Sequence, residues 1–304
     1  MTPTRSSPPP AGLAAELIED PAAWRDALDG CRATGGQVGV VLTMGALHAG
    51  HLSLIRRAAA ECDVVAVTDY VNPLQFGPSE DLAAYPRDLL ADVAEAAAAG
   101  ASLVLAPSTD QLWGAAPVTS VHVGGPACGL DGAARPGHFD GVATVAAKLL
   151  SLSGPCRAYF GEKDFQQLAV VRRMAADLSL PAEVVGCPTV RDTDGLALSS
   201  RNAYLTPSER AAAPRLYYAL LAGKRAVEDD GVTDPAAVEE AMAASLAGEP
   251  LFTLDYAAVA DPSDGADLRR PERIAGDVRL LMAARLGRAR LIDNLAVSGL
   301  ATRS

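Results

Sequence analysis

The stretch VGVVLTMGALHAGH (residues 38–51) decides the fold class of this chain. It begins with a short β-branched, apolar run, which predicts a buried strand over residues 38–43. Gly45 and Gly50 flank a turn, and the pattern from His51 to Glu61 is helical. A strand, a glycine-containing turn and a helix in this order are typical of a parallel α/β sheet.

Strand and helix patterns go on alternating on both sides of this stretch. Asp20 and Pro21 are the N-cap and first residue of a predicted helix that precedes it. Further strands are predicted over 64–71, 102–106, 118–123, 157–160 and 182–187, and further helices over 87–99, 139–152 and 165–177. This alternation predicts a Rossmann-like parallel sheet covered by helices, with ligands bound at the carboxyl ends of the strands.

The pattern changes after about Val190. A capping box from Thr206 to Glu209 predicts a long helix that runs toward Glu228. A second helix is predicted over 234–246, and strands over 255–259, 278–283 and 289–292. We therefore predict three parts: a disordered, proline-rich tail over 1–12, the Rossmann-like domain over 13–189 and a smaller C-terminal α+β domain over 190–304.

Composition excludes several classes of protein. The 304 residues carry a net charge of −11, which argues against a nucleic-acid binder because such proteins need a basic face. No apolar run approaches the roughly 18–20 residues that span a bilayer, so no membrane segment is expected. The five cysteines are scattered and form no C-x-x-C, which predicts reduced thiols and a cytoplasmic location.

Two histidines lie in the loop that precedes the helix of the first stretch. A helix N-terminus offers free N–H groups and a partial positive charge, so it attracts phosphate. His48 and His51 can hydrogen-bond a triphosphate there, and Gly45 and Gly50 let the backbone approach it closely. A structural histidine pair or a zinc site is the alternative, although no cysteine lies nearby.

Three later segments carry polar groups suited to the same chemistry. Gln75 can offer a donor and an acceptor to a polar substrate, and Lys163 is a point charge suited to phosphate. Two hydroxyls and a guanidinium, at residues 199–201, can bind a triphosphate. Each segment by itself is also compatible with an ordinary polar turn or loop.

Five motifs in order resemble the pantothenate synthetase family of the HIGH-type nucleotidyltransferase superfamily. They are TMGALHAGHLSLI at 43–55, VNPLQFG at 71–77, RPGHFDGVATV at 135–145, GEKD at 161–164 and LSSR at 198–201. The resemblance implies a ligase that condenses D-pantoate with β-alanine. ATP would first convert pantoate to pantoyl adenylate with release of pyrophosphate, and β-alanine would then displace AMP.

The resemblance also implies roles for individual residues. The catalytic residues would be His48, His51, Lys163 and Arg201. ATP would be bound by Met44, Gly45, His48, Gly50, His51, Gly161, Lys163, Asp164, Val190, Leu198, Ser199, Ser200 and Arg201, and pantoate or β-alanine by Asn72, Gln75, Arg135 and Gln167. ATP chemistry implies Mg²⁺, for which Asp92 and Asp164 are candidate ligands, and the family implies a homodimer.

Three residues depart from the family pattern. Leu198 replaces a methionine, Leu42 replaces a proline, and Asp69 lies in a predicted strand where an apolar residue is usual. A buried carboxylate is unfavourable unless it is paired, so Asp69 must face the cleft, pair with another group or alter activity. Two alternatives stay open: a related nucleotidyltransferase, which would share the His48–His51 motif, and a nucleotide-binding protein without catalysis, which Asp69 suggests.

Overall fold

The computed structural model describes residues 15–77, 82–262 and 268–299. The predicted tail over 1–12 lies outside these residues. The chain divides into two compact units, the first reaching to Glu162 and including Gln167–Cys187, the second comprising Lys163–Gln166 and the residues from Pro188 onward. Within the described ranges, no helix is both long enough and apolar enough to cross a bilayer.

The first unit is built on a six-stranded parallel sheet with the strand order β1-β4-β3-β2-β5-β6. The strands are β1 (Glu16–Ile18), β2 (Val38–Thr43), β3 (Val64–Asp69), β4 (Leu103–Leu105), β5 (Cys156–Gly161) and β6 (Ala182–Cys187). The helices are α1 (Pro21–Ala33), α2 (Ala49–Glu61), α3 (Leu89–Ala98), α4 (Thr109–Trp113), α5 (Leu130–Ala134), α6 (His138–Ser153) and α7 (Phe165–Asp177). The predicted α/β fold class is confirmed.

Both faces of the sheet are buried, which explains why β2 is an apolar run rather than an alternating one. Val41 belongs to a core cluster with Ile55 of α2. Its neighbour Val40 points to the opposite face and belongs to a cluster with Trp24 of α1 and Leu149 of α6. Residues 43 and 69 are paired in register at the carboxyl ends of β2 and β3, which places the loops that follow these strands side by side.

One predicted strand of this unit is absent, and another is shorter than predicted. Residues 118–123 form no strand: the amide of Val121 donates instead to Oγ1 of Thr144 on α6 (2.9 Å), so a side chain has taken the place of a neighbouring strand. The predicted strand over 64–71 ends at Asp69, and β1 was not predicted because three residues are too few to show a period.

The second unit contains a three-stranded antiparallel sheet in the order β7-β8-β9, packed against helices. Its elements are α8 (Pro207–Ala212), α9 (Arg215–Glu228), α10 (Pro235–Ala247), β7 (Phe252–Ala260), β8 (Val278–Leu286) and β9 (Ala289–Val297). The predicted long helix is two helices, because Pro214 lacks the N–H that a continuous helix needs. Leu220, Met242 and Leu280 lie in one core cluster that joins α9, α10 and β8.

Candidate active site

The loop after β2 is held in place by buried polar contacts. The hydroxyl of Thr43 donates to the carbonyl of Thr68 (2.6 Å) and accepts from the amide of Gly45 (3.2 Å). Asp92 of α3, only 6% exposed, accepts from the amides of Ala46 (2.8 Å) and Leu47 (2.7 Å). Both carboxylate oxygens of Asp92 therefore fix the backbone that leads to the two histidines.

His48 is the N-cap of α2, and its hydrogen bond sets its tautomer. Its Nδ1 accepts from the amide of Gly50 (3.1 Å), so in the neutral ring the proton is on Nε2. The ring of His51 lies beside it, with 4.1 Å between ring centroids. The start of α2 thus presents a histidine N–H donor beside the positive end of a helix, which is suited to phosphate.

Asp69 is the last residue of β3, and its carboxyl group lies close to Gly45. A Cβ at position 45, where φ is +76°, would stand 2.4 Å from Oδ1 of Asp69 and 3.0 Å from Oδ2 of Asp92. Burial, the negative charge of Asp92 and a hydrogen bond between the two carboxyl groups raise the pKa of Asp69 to about 6. Asp69 therefore lies beside a second carboxyl group, which disfavours its ionised form instead of compensating it.

Gln75 is oriented by two neighbours. Its Nε2 contacts Sδ of Met44 (2.8 Å), and its Oε1 accepts from Nδ2 of Asn72 (3.1 Å). Asn72 is 1% exposed, and its Nδ2 also donates to the carbonyl of Gly141 on α6 (3.1 Å). These contacts bring together three of the residues assigned to ATP or substrate: Met44, Asn72 and Gln75.

Arg135 joins this group through His138. Nδ1 of His138 lies 2.8 Å from the carbonyl of Gln75, and because a carbonyl only accepts, this nitrogen carries the proton. Nε2 is then an acceptor for Nη1 of Arg135, at 2.8 Å. Gly141 allows the close approach behind these contacts, since a Cβ there would lie 2.1 Å from the carbonyl oxygen of Leu74.

The remaining predicted residues of the first unit do not join this group. Gly161 ends β5, where it pairs with Cys187 of β6. Gln167 is half-buried in the first turn of α7. Both Gln167 and Gln75 lie within the described residues, and no hydrogen bond joins them.

The second unit holds the other predicted ATP contacts. Nζ of Lys163 pairs with Oδ1 of Asp164 at 3.2 Å, and the Lys163 side chain is 16% exposed. Val190 accepts from the amide of Leu198 (3.0 Å), which closes the base of a loop. Its end carries Ser199, Ser200 and Arg201, of which Ser199 caps a short 3-10 turn by accepting from the amide of Arg201 (3.3 Å).

The candidate metal ligands are already engaged. Asp92 uses both oxygens on backbone amides, and Asp164 pairs with Lys163. Among the residues that the structure describes, no group of three or more His, Cys, Asp or Glu side chains is arranged to hold a metal ion.

Two residues support this geometry in roles that were not predicted from the sequence. His138 belongs to the motif at 135–145 but was assigned no role, although its spacing of three residues from Arg135 was a usable signal. Asp92 gave no local signal for its role, because it holds a loop 45 and 46 residues earlier in the chain.

Comparisons with known proteins identify the family of this chain. The family model described as Pantoate-beta-alanine ligase matches residues 16–296. A pantothenate synthetase of Deinococcus radiodurans is 53% identical over 88% of this chain and 95% of its own length. Another, of Moorella thermoacetica, is 47% identical over 93% of this chain and 98% of its own length.

Solved structures give the same result. The crystal structure of a pantothenate synthetase from Thermus thermophilus matches with a TM-score of 0.84 and 48% identity, over 92% of this chain and 98% of that one. A pantoate-beta-alanine ligase from Francisella tularensis, complexed with beta-gamma ATP and beta-alanine, matches with a TM-score of 0.76 and 29% identity, over 93% and 97%.

Proposed function

The chain belongs to the pantoate–β-alanine ligase family, and we propose that it carries out the family reaction with the residues located above. It condenses pantoate with β-alanine in two steps. A carboxylate oxygen of pantoate attacks the α-phosphorus of ATP. The bond between that phosphorus and the bridging oxygen breaks, and pyrophosphate leaves with this oxygen and the bonding electrons. The amine of β-alanine then attacks the acyl carbon of pantoyl adenylate, losing a proton, and AMP leaves.

The orientation of His48 at the start of α2 is the observation that carries the assignment of the first step. With Nδ1 occupied by the Gly50 amide, Nε2–H is the donor that can meet a phosphate oxygen. His51, stacked beside it, supplies the second imidazole. Donors fixed before the reaction stabilise the charge that grows on the leaving pyrophosphate without having to reorganise.

Pantoate is bound by the group around Gln75. Asn72 fixes the amide of Gln75, so that its remaining hydrogen-bonding capacity is directed at the hydroxyl groups or the carboxylate of pantoate. Arg135, oriented by His138, supplies positive charge for a carboxylate. Gln167 is assigned to the same substrate.

Further ATP contacts are assigned by the family resemblance. In the second unit, Lys163, Ser199, Ser200 and Arg201 bind the triphosphate, and Asp164 accepts from the ribose. The backbone at Gly45, Gly50, Gly161, Val190 and Leu198, and the side chain of Met44, complete the nucleotide contacts. In the second step the enzyme has mainly to hold the amine beside a reactive acyl group.

Magnesium enters with the nucleotide. Mg²⁺ bound to ATP takes most of its ligands from phosphate oxygens and water, and needs few from protein. This assignment is supported by the engagement of Asp92 and Asp164 in other contacts.

The proposal also includes the assembly and the location of the protein: it forms a homodimer and acts in the cytoplasm. The segment 118–123 has an alternating β pattern, and Val118 is fully exposed. Such a segment can pair with the same segment of a second copy. Val118→Asp should therefore halve the mass measured by light scattering, and an unchanged mass would remove this segment from the interface. The cytoplasm is favoured by five free cysteines.

The test of the proposed site is pyrophosphate release from MgATP with pantoate alone and then with β-alanine added. His48→Asn keeps an N-cap side chain but removes the Nε2–H donor, and should lower kcat about 100-fold. The control is Asp26→Asn, since Asp26 is exposed on α1 and has no role in the proposed site. If His48→Asn retained kcat within about twofold while binding ATP normally, the role of His48 would be wrong.

A further inference from the structure

Two adjacent polar residues in the middle of β9 are buried, although a strand in this sheet is expected to bury mainly apolar side chains. Asp293 is 4% exposed and Asn294 is 3% exposed. Burying an amide and a carboxylate is unfavourable unless both are fully hydrogen-bonded. Their partners therefore identify what the pair holds in place.

Asn294 holds the segment that carries Lys163. Its Nδ2 donates to the carbonyl of Lys163 (2.9 Å), and its Oδ1 accepts from Nη1 of Arg279 (3.0 Å). The guanidinium of Arg279 in turn lies over the ring of Phe165, 4.0 Å from its centroid. The orientation of the Asn294 amide is fixed, because a carbonyl requires a donor and a guanidinium requires an acceptor.

Asp293 holds the loop that leads to Ser199. Its two oxygens accept from Nη1 (2.6 Å) and Nη2 (2.9 Å) of Arg191, and Oδ1 also accepts from the amide of Asn294 (2.8 Å). Arg191 donates further to the carbonyl of Gly195 (3.1 Å) and lies over the ring of Tyr217. Burial raises the pKa of Asp293, and the donors from Arg191 and the Asn294 amide oppose that rise.

The two held segments meet at one small cavity. Lys163, Ser199 and Asp293 all line a space of about 10 Å³, which is close to the volume that one water molecule requires. The backbone of Lys163 and the loop that ends at Ser199 are thus held by the same two residues of β9, Asp293 and Asn294.

We propose that Asp293 and Asn294 are positioning residues for adenylate formation. They hold the backbone of Lys163 and the loop 190–201 in their relative positions before ATP binds. The proposal rests on the proposed function of Lys163 as a triphosphate contact. Neither residue needs to touch the nucleotide. A misplacement of about 1 Å in such a group is enough to cost about 100-fold in rate.

The test uses Asn294→Asp, which keeps the shape and the acceptor for Arg279 but removes the donor to the Lys163 carbonyl. We expect kcat/KM for ATP to fall about 10- to 100-fold, and KM for β-alanine to stay within about twofold. Val297→Ala is the matched control: it removes core volume from the same strand, and should lower the melting temperature while leaving the kinetic constants unchanged.

The combination with Lys163→Ala separates positioning from a general loss of structure. If Asn294 acts through Lys163, the double variant should be no more than about threefold worse than Lys163→Ala alone. Additive losses, or wild-type kinetics in Asn294→Asp, would overturn the inference. A normal kcat/KM for ATP in Lys163→Ala would instead contradict the proposed function itself. Asn294→Ser replaces Asn294→Asp if that variant does not fold, and failure of both to fold would show a purely structural role and overturn the inference.

Discussion

Replacing Asp69 by asparagine should stabilise the first unit at neutral and alkaline pH, and this effect should vanish in acid. The pKa of Asp69 is raised from 3.8 to about 6 by burial and by Asp92. In the unfolded chain the group has its ordinary value. The folded state therefore binds more protons than the unfolded state between about pH 4 and pH 6, and stability falls as pH rises through this window.

The size of the stability change follows from how far the pKa of Asp69 is raised. About two pKa units at 1.36 kcal/mol each give an upper limit of roughly 3 kcal/mol for the destabilisation above pH 6. Asp69 is half-buried, so screening by solvent reduces the expected value to about 1–2 kcal/mol. An asparagine has nearly the same shape, carries no charge at any pH, and can donate to Asp92 where two carboxylates repel.

The assay is urea denaturation followed by tryptophan fluorescence between pH 4 and pH 8.5. The chain has two tryptophans, Trp24 and Trp113, and both belong to the first unit. Asp69→Asn should raise the free energy of unfolding by about 1–2 kcal/mol at pH 8 and by much less at pH 4. Asp26→Asn on the exposed surface of α1 is the control, and should show no such dependence.

A gain for Asp69→Asn that is the same at every pH would refute this reasoning, because it would show that charge is not the cause. A loss of stability at pH 8 would refute it more strongly, since it would mean that the ionised Asp69 is favourable where it stands.

Two further substitutions test the geometry of the first unit. Asp92→Asn should destabilise the fold by about 1–3 kcal/mol and raise KM for ATP, because the new amide nitrogen would face the N–H group of either Ala46 or Leu47. Urea denaturation and initial rates measure the two effects, and an unchanged KM would show that the loop does not depend on Asp92. Gly141→Ala should raise KM for pantoate, because the new Cβ would overlap the Leu74 carbonyl and displace the turn that carries Gln75. An unchanged KM with normal stability would contradict this prediction.

The sequence predicts best where a local pattern decides the structure. The run 38–43 is β2, and the predicted bounds of α7 and β6 coincide with those found, because apolar periodicity and flanking turn residues are local properties. The segment 118–123 shows the limit of such patterns. Alternation of β-branched residues cannot indicate whether a neighbouring strand is available, and here Thr144 takes the amide instead.

The site shows the same division. His48, Gln75 and Lys163 are proposed from motifs, since each motif keeps its candidate residues close together in sequence. Their supports are not: the contact between Asn294 and the Lys163 carbonyl spans 131 residues, and no local spacing announces it. Asp69 stands out as a carboxylate in an apolar strand, but its acidic neighbour Asp92 lies on helix α3, which no pattern near Asp69 indicates.

The most direct test of the central claim follows oxygen from pantoate into AMP. Pantoate labelled with oxygen-18 in its carboxylate is incubated with MgATP, β-alanine and the enzyme, and the AMP is examined by mass spectrometry. If the carboxylate attacks the α-phosphorus to form pantoyl adenylate, AMP acquires one labelled oxygen and pyrophosphate acquires none. Unlabelled AMP, or ADP accompanied by labelled inorganic phosphate, would contradict the adenylate route.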